Sequence, residues 1–222
     1  MDRVAFDFAE ARNRMVDGQI RPNRVSDPRI LAAMREIPRE LFLPSALRPF
    51  AYIDEDIQLG GGRVLMEPLA IARLVQLLAA TDGQRALVVA AGTGYGAALL
   101  AACGVRVIAL EEDPGLLSLA QAALDTIAPS VRLVSGPLAA GWPAEAPYDM
   151  ILLEGAVRQV PPALGQQLRA DGGRLATVQA QPGAVSRAVL AEPTPVGLRA
   201  LPIFDCATPP IPALLPKTGF VF

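Results

Sequence analysis

Residues 86–105 read ALVVAAGTGYGAALLAACGV, a run of 20 uncharged residues between Arg85 and Arg106. A helix that crosses a bilayer has about this length, but the pattern of the run changes at Gly92 and Gly94. A short apolar run precedes these glycines, and a stretch rich in alanine and leucine follows them. This order predicts a buried strand, a tight glycine turn and a buried helix, and not a membrane span.

The same alternation of helix and strand continues on both sides of this unit. Further strands are predicted over 105–110, 131–134, 150–154 and 174–179, and helices over 69–80, 113–127 and 161–168. The strands are continuous apolar runs, which is typical of a parallel sheet covered by helices. We therefore predict an α/β fold with a doubly wound, mostly parallel sheet and helices on both faces. Two antiparallel strands are expected over 186–191 and 198–204.

Residues 1–67 are predicted to form a helical extension ahead of the sheet. One amphipathic helix is expected over 6–20, ending near Gly18, and a second begins after Ser26 as its N-cap and stops at Pro38. We therefore divide the chain into an N-terminal, substrate-side segment (1–67) and a sheet domain (68–222).

Composition excludes several classes of function. The chain has 222 residues, 52% of them hydrophobic, and a formal net charge of −2, so it lacks the excess of basic residues that a nucleic-acid binder needs. It contains no histidine and a single lysine, Lys217, which excludes a Ser-His-Asp triad and an HExxH zinc site. Cys103 and Cys206 are expected to be buried thiols in a reducing cytoplasm. No apolar signal segment is visible, so we expect a soluble, cytoplasmic protein.

The glycine turn suggests a nucleotide-like ligand. Gly92 and Gly94 let the backbone approach a ligand closely, and the helix that follows offers free N–H groups. Glu111 ends the next strand, where a carboxylate can accept hydrogen bonds from ribose hydroxyls. The turn also fits the dinucleotide pattern G-x-G-x-x-A, so alone it does not distinguish NAD from S-adenosylmethionine.

The absence of histidine and the single lysine favour S-adenosylmethionine over NAD. Hydride transfer needs a proton donor or acceptor, usually histidine or lysine. Transfer of a methyl group to a carboxylate has no such need, because the acceptor is already ionised at neutral pH and positioning does most of the work. A site without histidine is therefore better suited to carboxyl methylation.

A series of segments resembles the protein-L-isoaspartate O-methyltransferase family in order and spacing, from about Met15 to Val178. They are GQIR (18–21), IPRELFLP (37–44), AYIDEDIQLGGG (51–62), the glycine turn, LEED (110–113), YDMILLEGA (148–156) and PPALGQQLRADGGRL (161–175). The resemblance implies a Rossmann-like class I methyltransferase fold, with S-adenosyl-L-methionine as cofactor. It also implies that the partner is a damaged protein or peptide carboxylate. The expected oligomeric state is a monomer or a homodimer.

The resemblance also assigns residues. Gly92 to Tyr95 would hold the methionine end of the cofactor and Glu111 its ribose, while Met66 and Glu67 occupy substrate-loop positions beside the reaction. The full set of expected cofactor contacts is Ala91, Gly92, Thr93, Gly94, Tyr95, Glu111, Glu112, Pro137, Leu138 and Glu154.

The chain departs from the family pattern at three places. Val88 and Ala90 replace an acidic residue and a glycine before the turn, and Met66 replaces the serine of the substrate loop. Pro137 replaces an aspartate that is expected near the adenine. Three alternatives to an isoaspartyl methyltransferase stay open: a weakened or inactive relative that acts as a binding protein, a methyltransferase for a different acid, and an NAD-binding protein.

Overall fold

The computed structural model describes residues 6–216, and its centre is the predicted strand, turn and helix. Strand β3 (Arg85–Val89) leads through the glycine turn into helix α4 (Tyr95–Ala102). Side chains of β3 alternate between two apolar cores: Ala86 and Val88 contact one, and Leu87 and Val89 contact the other. A strand buried on both faces needs a continuous apolar sequence, which explains the run that predicted it.

Seven strands form the main sheet in the order β5-β4-β3-β6-β7-β8-β9. The first five in this order are parallel, and β8 and β9 add an antiparallel hairpin at one edge. The bounds are β4 (Arg106–Glu111), β5 (Arg132–Ser135), β6 (Met150–Val157), β7 (Arg174–Gln179), β8 (Arg187–Thr194) and β9 (Gly197–Asp205). The predicted mostly parallel sheet and its antiparallel end are confirmed.

The remaining elements cover the sheet unequally. A two-stranded hairpin, β1 (Ile57–Gly60) and β2 (Arg63–Leu65), precedes the main sheet. The helices are α1 (Phe8–Met15), α2 (Pro28–Glu36), α3 (Pro68–Leu77), α5 (Pro114–Ile127) and α6 (Pro162–Gln166). Residues of α1 to α5 belong to one core, whereas the other face is covered by α6, short 3-10 turns and the segment around Ile211. Helices therefore lie on both faces, but one layer is thin.

The N-terminal segment packs directly on the sheet domain. Met15 and Met34 are buried in the same core as residues of β3, β4 and β6. The helix predicted over 6–20 is present, and α1 continues past Gly18 as a π-helical turn over Val16–Ile20. The N-cap of α2 is Asp27 and not Ser26, since the Asp27 carboxylate accepts a hydrogen bond from the Arg29 N–H at 2.9 Å.

Candidate active site

Three neighbouring strands end together at one edge of the sheet. Val89 of β3 pairs with Leu110 of β4 on one side and with Leu153 of β6 on the other. The next residue of β4 and of β6 is therefore a glutamate, Glu111 or Glu154, beside the start of the glycine turn. The order of strands reverses direction around β3, and ligands of open α/β sheets bind in the crevice that forms at such a point.

The turn has the backbone geometry that a close ligand approach requires. Gly92 and Gly94 have positive φ angles of 58° and 93°, and Ala90 has 55°. A Cβ on Gly94 would lie 2.9 Å from Leu124 Cδ1, so only glycine fits there. Thr93 is buried, and its hydroxyl oxygen has no hydrogen-bond partner among the described residues. The turn and the first N–H groups of α4 thus form a polar cradle.

Glu111 is completely buried and forms an ion pair with Arg63 of β2. Both Glu111 oxygens are 2.9 Å from guanidinium nitrogens of Arg63, a bidentate arrangement. The Glu111 carboxylate also accepts hydrogen bonds from the backbone N–H groups of Gly92, Glu112 and Asp113 at 2.8–3.1 Å. The same guanidinium donates to the Ala90 carbonyl at 2.9 Å. Arg63 therefore lies in the crevice beside the residue that was predicted to bind ribose.

The loop after β5 lies beside the end of β4. Glu112 is exposed, and its carboxylate accepts a hydrogen bond from the Leu138 N–H at 3.2 Å. Leu138 is buried, whereas Pro137 is exposed and has no N–H to donate. These three predicted cofactor residues are thus adjacent, and Glu112 orders the loop that contains the other two.

Glu154 points toward the start of α4. A Cβ on Gly96 would lie 2.8 Å from the Glu154 Cδ, so the carboxyl packs directly against this glycine. Its Oε1 is buried and has no partner among residues 6–216. Burial raises the pKa of Glu154 to about 8, and the nearby Glu111 charge adds to the rise, whereas Arg63 opposes it. The carboxyl is therefore mostly protonated at neutral pH.

Tyr95 faces the N-terminal segment. The Arg39 guanidinium carbon lies 4.7 Å from the centroid of the Tyr95 ring, and Phe42 makes an edge contact with it at 5.4 Å between centroids. Arg39 has no exposed surface and donates hydrogen bonds to the carbonyls of Ala51 and Met66. Burial lowers the pKa of Arg39. Arg39 thus fixes the substrate loop against the helix that follows the glycine turn.

The two predicted substrate-loop residues differ in their placement. The Met66 side chain is 2% exposed and belongs to the core, so it does not face an incoming acceptor. Glu67 is half-buried, and its N–H donates to the Asp56 carboxylate at 2.7 Å. Burial, followed by the charges of Asp54 and Asp56, raises the pKa of Glu67. The loop therefore presents an acidic rim and not a hydroxyl donor.

The crevice fits S-adenosylmethionine in part. The positive-φ turn and the unpartnered Thr93 hydroxyl match the cradle for its methionine end. The Glu111 carboxylate, however, already accepts five hydrogen bonds, which fills the lone-pair positions that two ribose hydroxyls would use. The residues fit the cofactor once the Arg63 guanidinium leaves Glu111.

Two residues of this site had no role in the sequence prediction. Arg63 follows three glycines and precedes an apolar stretch. This position beside apolar residues was the only local feature of the sequence that indicated a buried arginine. Arg39 lay within IPRELFLP, a segment that carried the resemblance without an assigned contact. Both act through partners far away in sequence, Glu111 and Met66, which a local pattern cannot reveal.

The protein has a second concave region outside the crevice. A groove of about 790 Å³ lies between α6 and the β8–β9 hairpin, away from the glycine turn. Residues 6–216 contain no group of three or more metal-ligating side chains placed to hold a metal ion. Within the same residues, no helix combines the length and apolar character needed to cross a membrane.

Known proteins resemble this chain in sequence and in fold. The profile of the protein-L-isoaspartate(D-aspartate) O-methyltransferase family matches residues 10–185. A protein-L-isoaspartate O-methyltransferase of Methylorubrum extorquens is 42% identical over 177 residues, which are 80% of this chain and 77% of the relative. One of Methanoregula boonei is 38% identical over 75% of this chain and 77% of its own.

Solved structures agree with the fold. A protein-L-isoaspartate O-methyltransferase superposes with a TM-score of 0.77 at 24% identity over 90% of this chain, which spans 65% of that protein's length. A Plasmodium falciparum protein, solved in complex with S-adenosyl-L-homocysteine, has a TM-score of 0.74 at 17% identity and covers 89% of this chain and 96% of its own. The predicted Rossmann-like class I methyltransferase fold is confirmed.

Proposed function

Because the chain belongs to the protein-L-isoaspartate(D-aspartate) O-methyltransferase family, we propose that it methylates the carboxylate of L-isoaspartyl residues in damaged proteins. The observation that carries this proposal is the family match, which extends from the N-terminal helices through β7 and therefore includes both the substrate loop and the glycine turn. The reaction is S-adenosylmethionine-dependent, and its biological role is protein repair.

The residues around the glycine turn are proposed to hold the cofactor. Ala91, Gly92, Thr93, Gly94 and Tyr95 would contact its methionine end, Glu111 its ribose, and Glu112, Pro137 and Leu138 its adenine, with Glu154 beside the transferred group. When bound, the cofactor supplies an electrophilic methyl group. The Thr93 hydroxyl and the first N–H groups of α4 would orient it, because the hydroxyl is buried without a partner among the described residues and the first N–H groups of a helix have no partner within the helix.

The chain has little proton transfer to perform. The acceptor carboxylate is ionised at neutral pH, so the protein must hold it in line with the methyl group and exclude water. Arg39 is a positioning residue in this proposal, because it fixes the backbone of Met66 and stacks on Tyr95. Hydrogen bonds to the acceptor would come from the backbone of the substrate loop, since the Met66 side chain is buried.

A matched pair of peptides tests the proposal. One peptide contains an L-isoaspartyl residue and the other the ordinary L-aspartyl residue in the same sequence, and both are incubated with methyl-labelled S-adenosylmethionine. We expect label in a base-labile ester on the isoaspartyl peptide only. Equal labelling of both peptides, or label only on an unrelated small acid, would show that the acceptor is a different carboxylate.

A second candidate is a relative that binds its ligands but turns over slowly. The observation in its favour is the Arg63–Glu111 ion pair in the crevice, together with Val88 and Pro137 at positions where the family carries carboxylates. Binding of S-adenosylhomocysteine by calorimetry without methylation of the isoaspartyl peptide would select this candidate.

The cellular setting is also a proposal. We place the protein in the cytoplasm as a monomer or homodimer whose partner is a damaged protein or peptide. Two buried free cysteines and a formal net charge of −2 support a reducing compartment and a partner other than nucleic acid or membrane.

A further inference from the structure

The Arg63 guanidinium lies where a bound nucleoside would need to place its ribose. Its Nη2 is 3.9 Å from the position that a Cβ on Gly92 would take, so it lies next to the glycine turn. It also contacts the ends of two strands, through the Ala90 carbonyl and the Glu111 carboxylate. The Arg63 side chain is only 10% exposed. The guanidinium is thus a component of the crevice and not of the surface.

The contacts that Arg63 makes with Glu111 are those that a ribose diol would make. A diol presents two O–H donors to one carboxylate, and the guanidinium presents two N–H donors at 2.9 Å to the same two oxygens. The remaining acceptor positions of Glu111 are used by backbone N–H groups of Gly92, Glu112 and Asp113, which are fixed by the fold. A ribose can therefore reach Glu111 only by displacing Arg63.

Arg63 also connects the cofactor crevice with the substrate loop. It is the first residue of β2, and Met66 follows that strand directly. The Met66 carbonyl is held by Arg39, so the two arginines restrain the same short segment from opposite ends. Displacement of the Arg63 side chain would remove one of these restraints.

We infer that Arg63 determines the cofactor affinity of this chain, because its guanidinium competes with the ribose of the cofactor for Glu111. This inference rests on the proposed function, since it assumes that the crevice binds S-adenosylmethionine. The cofactor binds to the fraction of molecules in which Arg63 has left Glu111, and its apparent affinity is reduced by that fraction. If the ion pair is open in about a tenth of the molecules, the reduction is about tenfold.

Calorimetry with S-adenosylhomocysteine tests the inference without requiring turnover. The full chain, Arg63→Gln and Arg63→Lys are compared, with Arg106→Gln as a matched control. Arg106 is exposed at the other end of β4, and its guanidinium donates to the Gly83 carbonyl. We expect Arg63→Gln to bind S-adenosylhomocysteine about tenfold more tightly than the wild type. Arg63→Lys, which cannot form the bidentate pair, should lie between them, and Arg106→Gln should match the wild type.

A measurement on the wild type alone avoids dependence on the folding of Arg63→Gln. With ¹⁵N-labelled arginine, the side-chain N–H signals of Arg63 report its ion pair, and those of exposed Arg106 serve as an internal reference. We expect saturating S-adenosylhomocysteine to shift the Arg63 signals to those of an exposed arginine. Unchanged Arg63 signals, or equal affinity of the wild type and both Arg63 variants, would overturn the role of Arg63 and leave the proposed function standing. Failure of the wild type and of every Arg63 variant to bind S-adenosylhomocysteine at millimolar concentration would overturn both.

Discussion

Replacement of Glu111 by glutamine should destabilise the fold more than its small change in shape suggests. The substitution removes the charge that pairs with a guanidinium only 10% exposed, and it turns an amide N–H₂ toward that guanidinium. Loss of one partner of a buried ion pair costs about 3–5 kcal/mol. The amide oxygen of glutamine can still accept from part of the backbone N–H set, so we expect a loss at the lower end of this range.

The double variant Arg63→Gln/Glu111→Gln separates the ion pair from its surroundings. Since both charges are absent from it, its loss should be smaller than the sum of the two single losses by about 2–3 kcal/mol. Urea unfolding followed by circular dichroism measures the free energy of unfolding of the wild type, the two single variants Arg63→Gln and Glu111→Gln, and the double variant. Glu10→Gln is the control, because Glu10 pairs with Arg14 at the exposed surface and loss of this pair should cost at most about 1 kcal/mol. A loss below about 1 kcal/mol in Glu111→Gln would refute the reasoning, because it would mean that the pair is solvated.

Three further predictions concern neighbouring residues. The raised pKa of Glu154, about 8 against 4.5 for an unperturbed glutamate, means that the folded state holds a proton that the unfolded state releases. The free energy of unfolding should therefore fall by a few kcal/mol between about pH 4.5 and pH 8, and Glu154→Gln should remove this fall in urea titrations at several pH values. Gly96→Ala should lower the free energy of unfolding by about 1–3 kcal/mol, because its Cβ would collide with the Glu154 carboxyl. Ala90→Gly should raise the thermal midpoint, since it relieves a positive φ angle of 55° that costs an alanine about 1 kcal/mol.

Matched variants make these tests specific. Gly18→Ala has no atom within 4 Å of its new Cβ, so it should not share the loss of Gly96→Ala. Ala86→Gly lies inside β3 and should lose stability instead of gaining it. A wild-type pH profile parallel to that of Glu154→Gln would mean that Glu154 is ionised in the folded protein at neutral pH. A lower thermal midpoint in Ala90→Gly would contradict the assigned strain.

The strand, the glycine turn and the parallel sheet could be predicted because each depends on local composition. A strand buried on both faces needs only apolar residues, and a turn with positive φ angles favours glycine. The strand β3 and the turn after it can therefore be predicted from the sequence. The family and S-adenosylmethionine were also predicted and are confirmed by the comparisons. The helix predicted over 6–20 is present through Ile20, and packing of Val16 and Ile20 in the core maintains its helical structure through Gly18.

The side-chain contacts within the crevice could not be predicted from the sequence. Arg63 and Glu111 are 48 residues apart, and no periodicity links a hairpin residue to the end of a particular strand. The same holds for Arg39, whose contacts with Met66 and Tyr95 depend on how the N-terminal segment folds onto the sheet. The departures from the family pattern predicted an altered site, but they did not predict that Arg63 lies in it.

The charges of the side chains in the crevice connect the departures from the family pattern with the Arg63–Glu111 ion pair. Val88 and Pro137 occupy positions at which the resemblance to the family predicts carboxylates, and Arg63 pairs with Glu111. Glu154 is protonated below about pH 8, so it does not restore the lost negative charge. A crevice with fewer carboxylates attracts a buried arginine less strongly. Arg63 nevertheless lies in the crevice, because Glu111 offers two oxygens in bidentate geometry. On the proposed function, a cofactor that displaces Arg63 exchanges an ion pair for neutral ribose hydroxyls, and contacts elsewhere, such as those of the Thr93 hydroxyl and the first N–H groups of α4, must offset the difference.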